Sequence, residues 1–85
     1  MHNRHGWTDR TPEGVKREVI ATKFGGRWSF EYQLRGEEGW TPLDPPALED
    51  LQRLREILER KYQRRRAAIE DVHAVEKLIR EREAG

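Results

Sequence analysis

Cysteine is absent from the 85 residues, which excludes a disulfide framework, a thiolate zinc site and a cysteine nucleophile, and suits a reducing compartment. Serine occurs once, at Ser29. No apolar run approaches the roughly 18 residues of a membrane span, and the opening MHNRHGWTDR lacks the apolar core of a secretory signal, so the expectation is a soluble, cytoplasmic protein with no membrane partner. An excess of one charge is missing too. Seventeen basic against sixteen acidic residues leave a net charge of +1, so attraction to nucleic acid has to come from a local patch. With 39% charged and 34% hydrophobic residues the chain is polar, but its apolar residues are clustered and periodic, as they are in chains that fold. A single domain of this length buries about 60% of the surface of its unfolded chain, which leaves little core to support an elaborate active site.

The longest unbroken helical pattern runs from Asp44 to Arg66. Asp44 precedes Pro45, and the residue before a proline is held extended, as an N-cap must be; Leu43 and Leu48 are placed to staple that start. Ala47, Leu51, Leu54, Leu58 and Tyr62 recur at steps of three and four and stack on one side of a helix predicted over about 45–65. Glu49 and Asp50 near its start and Arg64, Arg65 and Arg66 near its end suit the helix dipole, with Glu49 to Arg53 and Glu56 to Arg60 as supporting pairs. Ile69, Val72, Val75 and Ile79 form a second stripe, placing another helix at about 69–83. If the two were one rod, Lys61 and Arg65 would fall on the apolar seam, so a bend near 64–68 and an antiparallel pair are expected; one long helix dimerising as a coiled coil is the alternative. No internal repeat is read from the sequence.

Between residues 15 and 35 the apolar period is two, interrupted by Gly25 and Gly26, whose backbone freedom suits a two-residue hairpin turn. That turn sets Phe24 opposite Arg27, Lys23 opposite Trp28, Ala21 opposite Phe30 and Val19 opposite Tyr32, for strands at about 15–24 and 27–35. One face then gathers Val15, Val19, Ala21, Trp28, Phe30, Tyr32 and Leu34, and the other carries polar residues together with Ile20 and Phe24. Trp28, Phe30 and Tyr32 could stack bases, but a two-stranded hairpin needs such a face for its core. Residues 40–43 are a candidate third strand, confined to an edge by Pro42. Residues 1–14 show turn formers and no apolar period, and are read as a flexible leader in which only Trp7 docks.

Catalytic constellations are poor. Ser29 falls on a strand, His73 has no partner assigned by spacing, and Glu37 and Glu38 sit between glycines as a solvated turn. His2 and His5 fall short of the ligands that zinc requires, and there is no phosphate-cradling loop, so no enzyme, metal, cofactor or small-molecule ligand is expected. The compact charged feature is the run from Arg60 to Arg66. Basic residues at a helix end satisfy the dipole and the last carbonyls. Yet Arg53, Arg60 and Arg64 also share a face, and with Lys61, Arg65 and Arg66 they make a candidate nucleic-acid-binding ridge. Ile20, Phe24 and Ile57, apolar residues on polar faces, are the candidate protein contacts.

The expectation is an α+β domain over residues 15–85: an antiparallel hairpin, or a three-stranded meander, packed against an antiparallel helix pair. Its expected role is a non-enzymatic protein-interaction or self-associating module, a dimer among the options, with weak, salt-sensitive nucleic-acid binding through the arginine ridge as the alternative.

Overall fold

Alternation of side chains governs the N-terminal half of the chain. In the computed structural model, which describes residues 3–85, this half is a four-stranded antiparallel sheet in the order β1-β2-β3-β4, formed by Asn3–Arg10, Lys16–Phe24, Arg27–Leu34 and Thr41–Pro42. The C-terminal half is two helices, α1 over Leu48–Gln63 and α2 over Ile69–Ala84, so the fold class is α+β as expected. The chain divides into two compact units, Met1–Pro45 and Pro46–Gly85.

The central hairpin has the register that its turn dictates: Phe24 pairs with Arg27, Lys23 with Trp28, Ala21 with Phe30 and Val19 with Tyr32. Gly25 (φ 58°) and Gly26 (φ 78°) both take the left-handed conformation that a type I′ turn needs at its two central positions. Val19, Ala21 and Phe30 are buried on one face of the sheet. Val15 departs from expectation: it precedes β2 and is exposed, because the turn at 11–14 ends just before it. The short third strand exists as β4, pairing Tyr32 with Thr41 and Glu31 with Pro42 at the sheet margin, where a proline costs no ladder bond.

The expected leader is corrected. Asn3–Arg10 is a full strand paired along its length with β2, His5 opposite Ala21 and Trp7 opposite Val19. Its turn is closed by the Gly14 N–H donating to the Thr11 carbonyl (2.8 Å) and by Val15 N–H donating to Thr11 Oγ1 (3.1 Å), with Gly14 at φ 87°. His5 and Trp7 point to the same face as Val19 and Ala21 and are buried there, so His5, placed above in a flexible leader, lies 6% exposed with its ring 5.7 Å from that of Trp28. His2 lies outside the described residues.

Helix α1 starts three residues after Pro45. Pro45 itself precedes a proline and is held out of the helical region, so the turn can begin only after Pro46, with Ala47 (φ −72°, ψ 159°) in the N-cap position. Asp44 is therefore not the cap. Alanine offers no side-chain acceptor, and the third helical residue compensates from the other direction: Ala47 N–H donates to Asp50 Oδ2 at 3.1 Å. At the far end Arg64, Arg65 and Arg66 leave the helix. Arg66 N–H reaches the Lys61 carbonyl (2.6 Å) and Arg65 N–H the Tyr62 carbonyl (2.9 Å), the two bonds of a Schellman motif, with Arg65 at φ 60° where glycine is usual. This motif breaks the rod at the expected place, so the chain carries a helical hairpin and not one long helix.

The hairpin reveals a repeat that plain reading missed. Residues 47–58 (ALEDLQRLREIL) and 68–79 (AIEDVHAVEKLI) align without a gap: an alanine cap, an aliphatic residue, Glu, Asp, then aliphatic residues at matching places. Burial repeats with it, as Asp50, Leu51, Leu54 and Leu58 on α1 correspond to Asp71, Val72, Val75 and Ile79 on α2, all buried. Tyr62, expected on the same stripe, is 45% exposed, because the last turn of α1 extends beyond the repeated segment.

Candidate interaction surfaces

Side chains on the outer face of the sheet belong to the even-numbered residues of β1 and β2 and the odd-numbered ones of β3. Phe24 is the outstanding member. It closes the hairpin at its tip, 86% exposed, with Lys23 before it and Arg27 opposite it. Ile20, two pairs further in, is half-buried; it stands opposite Gly6 of β1, and a Cβ built on that glycine would lie 3.9 Å from Ile20 Cγ1. The missing side chain at Gly6 leaves a gap into which Ile20 can lean. Ile57 is also half-buried, as is its repeat counterpart Leu78, so both flank the helical core. Of the three apolar residues expected at a contact surface, Phe24 alone stands clear.

The arginine ridge is divided by its neighbours. Arg53 is exposed and 3.6 Å from Glu56, and Arg55 is 3.8 Å from Glu59, in place of the expected Glu49–Arg53 and Glu56–Arg60 pairs. Lys61 is half-buried and engaged. What stays together is Arg60, Arg64, Arg65 and Arg66, exposed at the elbow of the helical hairpin and without an acidic partner among the described residues.

The aromatic ladder does not offer a base-stacking platform. Phe30 is buried, Trp28 and Tyr32 are half-buried, and the indole N–H groups of Trp7 and Trp28 have no hydrogen-bond partner among the described residues. Those rings serve the sheet's covered face. A shallow cleft of about 420 Å³ lies beside the end of the hairpin, lined by Lys16, Glu18, Gln33, Leu34, Arg35 and Gly36. Its polar groups largely serve the adjoining turn: Gln33 Nε2 donates to the Glu37 carbonyl (3.0 Å), and Leu34 N–H donates to Glu37 Oε1 (2.8 Å). Glu37 thus holds a turn, as its position between glycines implied. His73 is exposed on α2, and no group of three or more metal-binding side chains occurs among the described residues. Among those residues no helix is long and apolar enough to cross a membrane.

No protein-family model matches the chain, and no curated protein or solved structure is detectably similar to it.

Proposed function

We propose that the chain is a non-enzymatic protein-interaction module that uses the tip of its central hairpin, and the observation that carries this is the 86% exposure of Phe24. Burying a phenylalanine ring is worth about 2 kcal/mol, and Arg27 opposite it favours a surface that joins an apolar hollow to an acidic residue. The turn glycines keep the ring at the tip, clear of its own sheet. The test is a photoreactive benzophenone side chain at position 24, irradiated in the producing cells, with the same group at Glu49 as control. A discrete adduct specific to position 24 is expected, with another protein or with a second copy. Its absence overturns the reading.

A second reading has its own observation in the cations at the hairpin elbow. Arg60, Arg64, Arg65 and Arg66 would engage phosphates with little sequence preference, giving a slope of log K against log salt of about minus three. Arg53, already beside Glu56, adds little. Titration with single- and double-stranded oligonucleotides at low salt tests this. Binding that weakens when all four arginines become Gln supports it, and no binding, or binding indifferent to those changes, removes it.

A further inference from the structure

The two margins of the sheet are finished differently. A two-residue hairpin closes on a pair that exchanges both backbone hydrogen bonds, so Phe24 bonds Arg27, and the Arg35 N–H to Lys16 carbonyl bond (2.9 Å) marks the same parity at the other end. The even-numbered residues of β2 therefore bond β3, and the odd-numbered ones bond β1. On β1 it follows that Asn3, His5, Trp7 and Asp9 bond inward. The N–H and C=O groups of Arg4, Gly6, Thr8 and Arg10 point outward, and all four residues are exposed.

The opposite margin is closed. The Phe30 carbonyl accepts from Leu43 N–H (2.9 Å), Tyr32 pairs with Thr41, the Leu34 N–H donates to Glu37 Oε1 (2.8 Å), and the Leu34 carbonyl accepts from Glu37 N–H (3.0 Å). Pro42 adds a residue that cannot donate at all. β1 is less protected: it has eight residues, no proline and no lysine, and its charges are Arg4, Arg10 and the paired Asp9.

We propose that the outer margin of β1 accepts an extended acidic segment of another protein as an additional strand. The proposal rests on reading the chain as an interaction module, but it uses a different surface from Phe24. The side chains beside the outward backbone groups choose the partner. Arg4 and Arg10 stand on the exposed face about 20 Å apart by strand rise, with no acid on that face of β1 and with Lys16 opposite Arg10. An incoming strand with acidic residues six positions apart meets both. Gly6 lies between them with Ile20 behind it, so an apolar side chain set opposite Gly6 reaches Ile20 across the gap. A second copy of the chain fits poorly, because the two-fold register that pairs all four outward residues places Arg4 against Arg10 twice.

The test uses the full chain, isotopically labelled, and the capped peptide Glu-Thr-Val-Thr-Val-Thr-Glu, followed by amide shifts. Saturable shifts confined to β1 and its neighbours are expected, with at least a tenfold loss when both glutamates become lysine. Methylating one alternate set of peptide amides should abolish binding, and methylating the other set should leave it intact, because only one set faces the sheet. Thr8→Pro removes an outward donor while Trp7 and Asp9 keep their bonds to β2, and should also weaken binding at least tenfold. Arg4→Glu with Arg10→Glu should transfer preference to the lysine peptide, and this pair decides the matter if the proline variant does not fold. Phe24→Thr should change nothing here, so failure at this margin leaves the hairpin-tip reading standing. No binding, indifference to which amides are methylated, or a chain that instead dimerises through β1 overturns the proposal.

Discussion

Arg17 grips Asp9 with two nitrogens, Nε to Oδ1 at 2.8 Å and Nη2 to Oδ2 at 2.7 Å, across directly opposed positions of β1 and β2. Bidentate pairs hold orientation as well as charge, and this one is part-buried near the outer end of β1. A double-mutant cycle with Asp9→Asn and Arg17→Gln should give a coupling of about 1 kcal/mol, toward the upper end of what exposed pairs contribute. A coupling near zero would mean that the pair merely follows the strands.

Hydrogen exchange should read the pairing of β1 residue by residue. The amides of His5, Trp7 and Asp9 should be protected, and those of Gly6, Thr8 and Arg10 should exchange rapidly. Trp7→Ala should cost about 3–5 kcal/mol, as for a buried aromatic, whereas Trp7→Phe should cost much less because the indole N–H has no hydrogen-bond partner among the described residues. Small losses from both variants would contradict the burial of this ring.

The strand at the N-terminus shows where a sequence reading fails. Alternation was present in His5, Trp7 and Asp9, but one of these is charged and another titratable, so no apolar period emerged. The pairing that makes the strand depends on Arg17, Val19 and Ala21, which lie in a different segment. The central hairpin, by contrast, was legible to the register, because Gly25-Gly26 fixes the turn and large apolar side chains alternate along one face of β3. Of the candidate surfaces, Phe24 was readable as an apolar residue on a polar face. The margin of β1 was not, since backbone groups leave no trace in residue identity. The helix break at 64–68 could be inferred from charge on the seam, but not the left-handed Arg65 that makes it.

That residue offers a test of local strain. Arg65→Gly should stabilise the chain by about 1 kcal/mol, since glycine adopts φ 60° without the cost that a side chain carries, and Arg65→Val should destabilise it. A loss on glycine substitution would show that the guanidinium contributes more than the backbone conformation costs.

Both helices begin on an alanine in the N-cap position, Ala47 and Ala68, and neither has a side-chain cap. Each backbone there is extended, so Ala47→Ser and Ala68→Ser should each add about 1 kcal/mol by giving the first turn an acceptor. Asp50→Ala should cost a similar amount or more, because it leaves the Ala47 amide without its carboxylate. Thermal unfolding of the three variants checks all of these.

Phe24→Thr should leave stability within about 0.5 kcal/mol, as for an exposed residue, while Ile20→Thr should cost about 1 kcal/mol for its half-buried side chain. Chemical denaturation separates the two. Equal losses would place Phe24 in contact with its own fold and remove it as a docking residue.

The closed margin at β4 has a consequence for how far any assembly can extend. A fibre that grows by adding strands needs an acceptor and a donor on opposite sides of every subunit, and Pro42 with the Glu37 turn withholds one of them. Copies of this chain are therefore denied a second free margin for head-to-tail strand addition, which works against an open polymer made of this sheet alone.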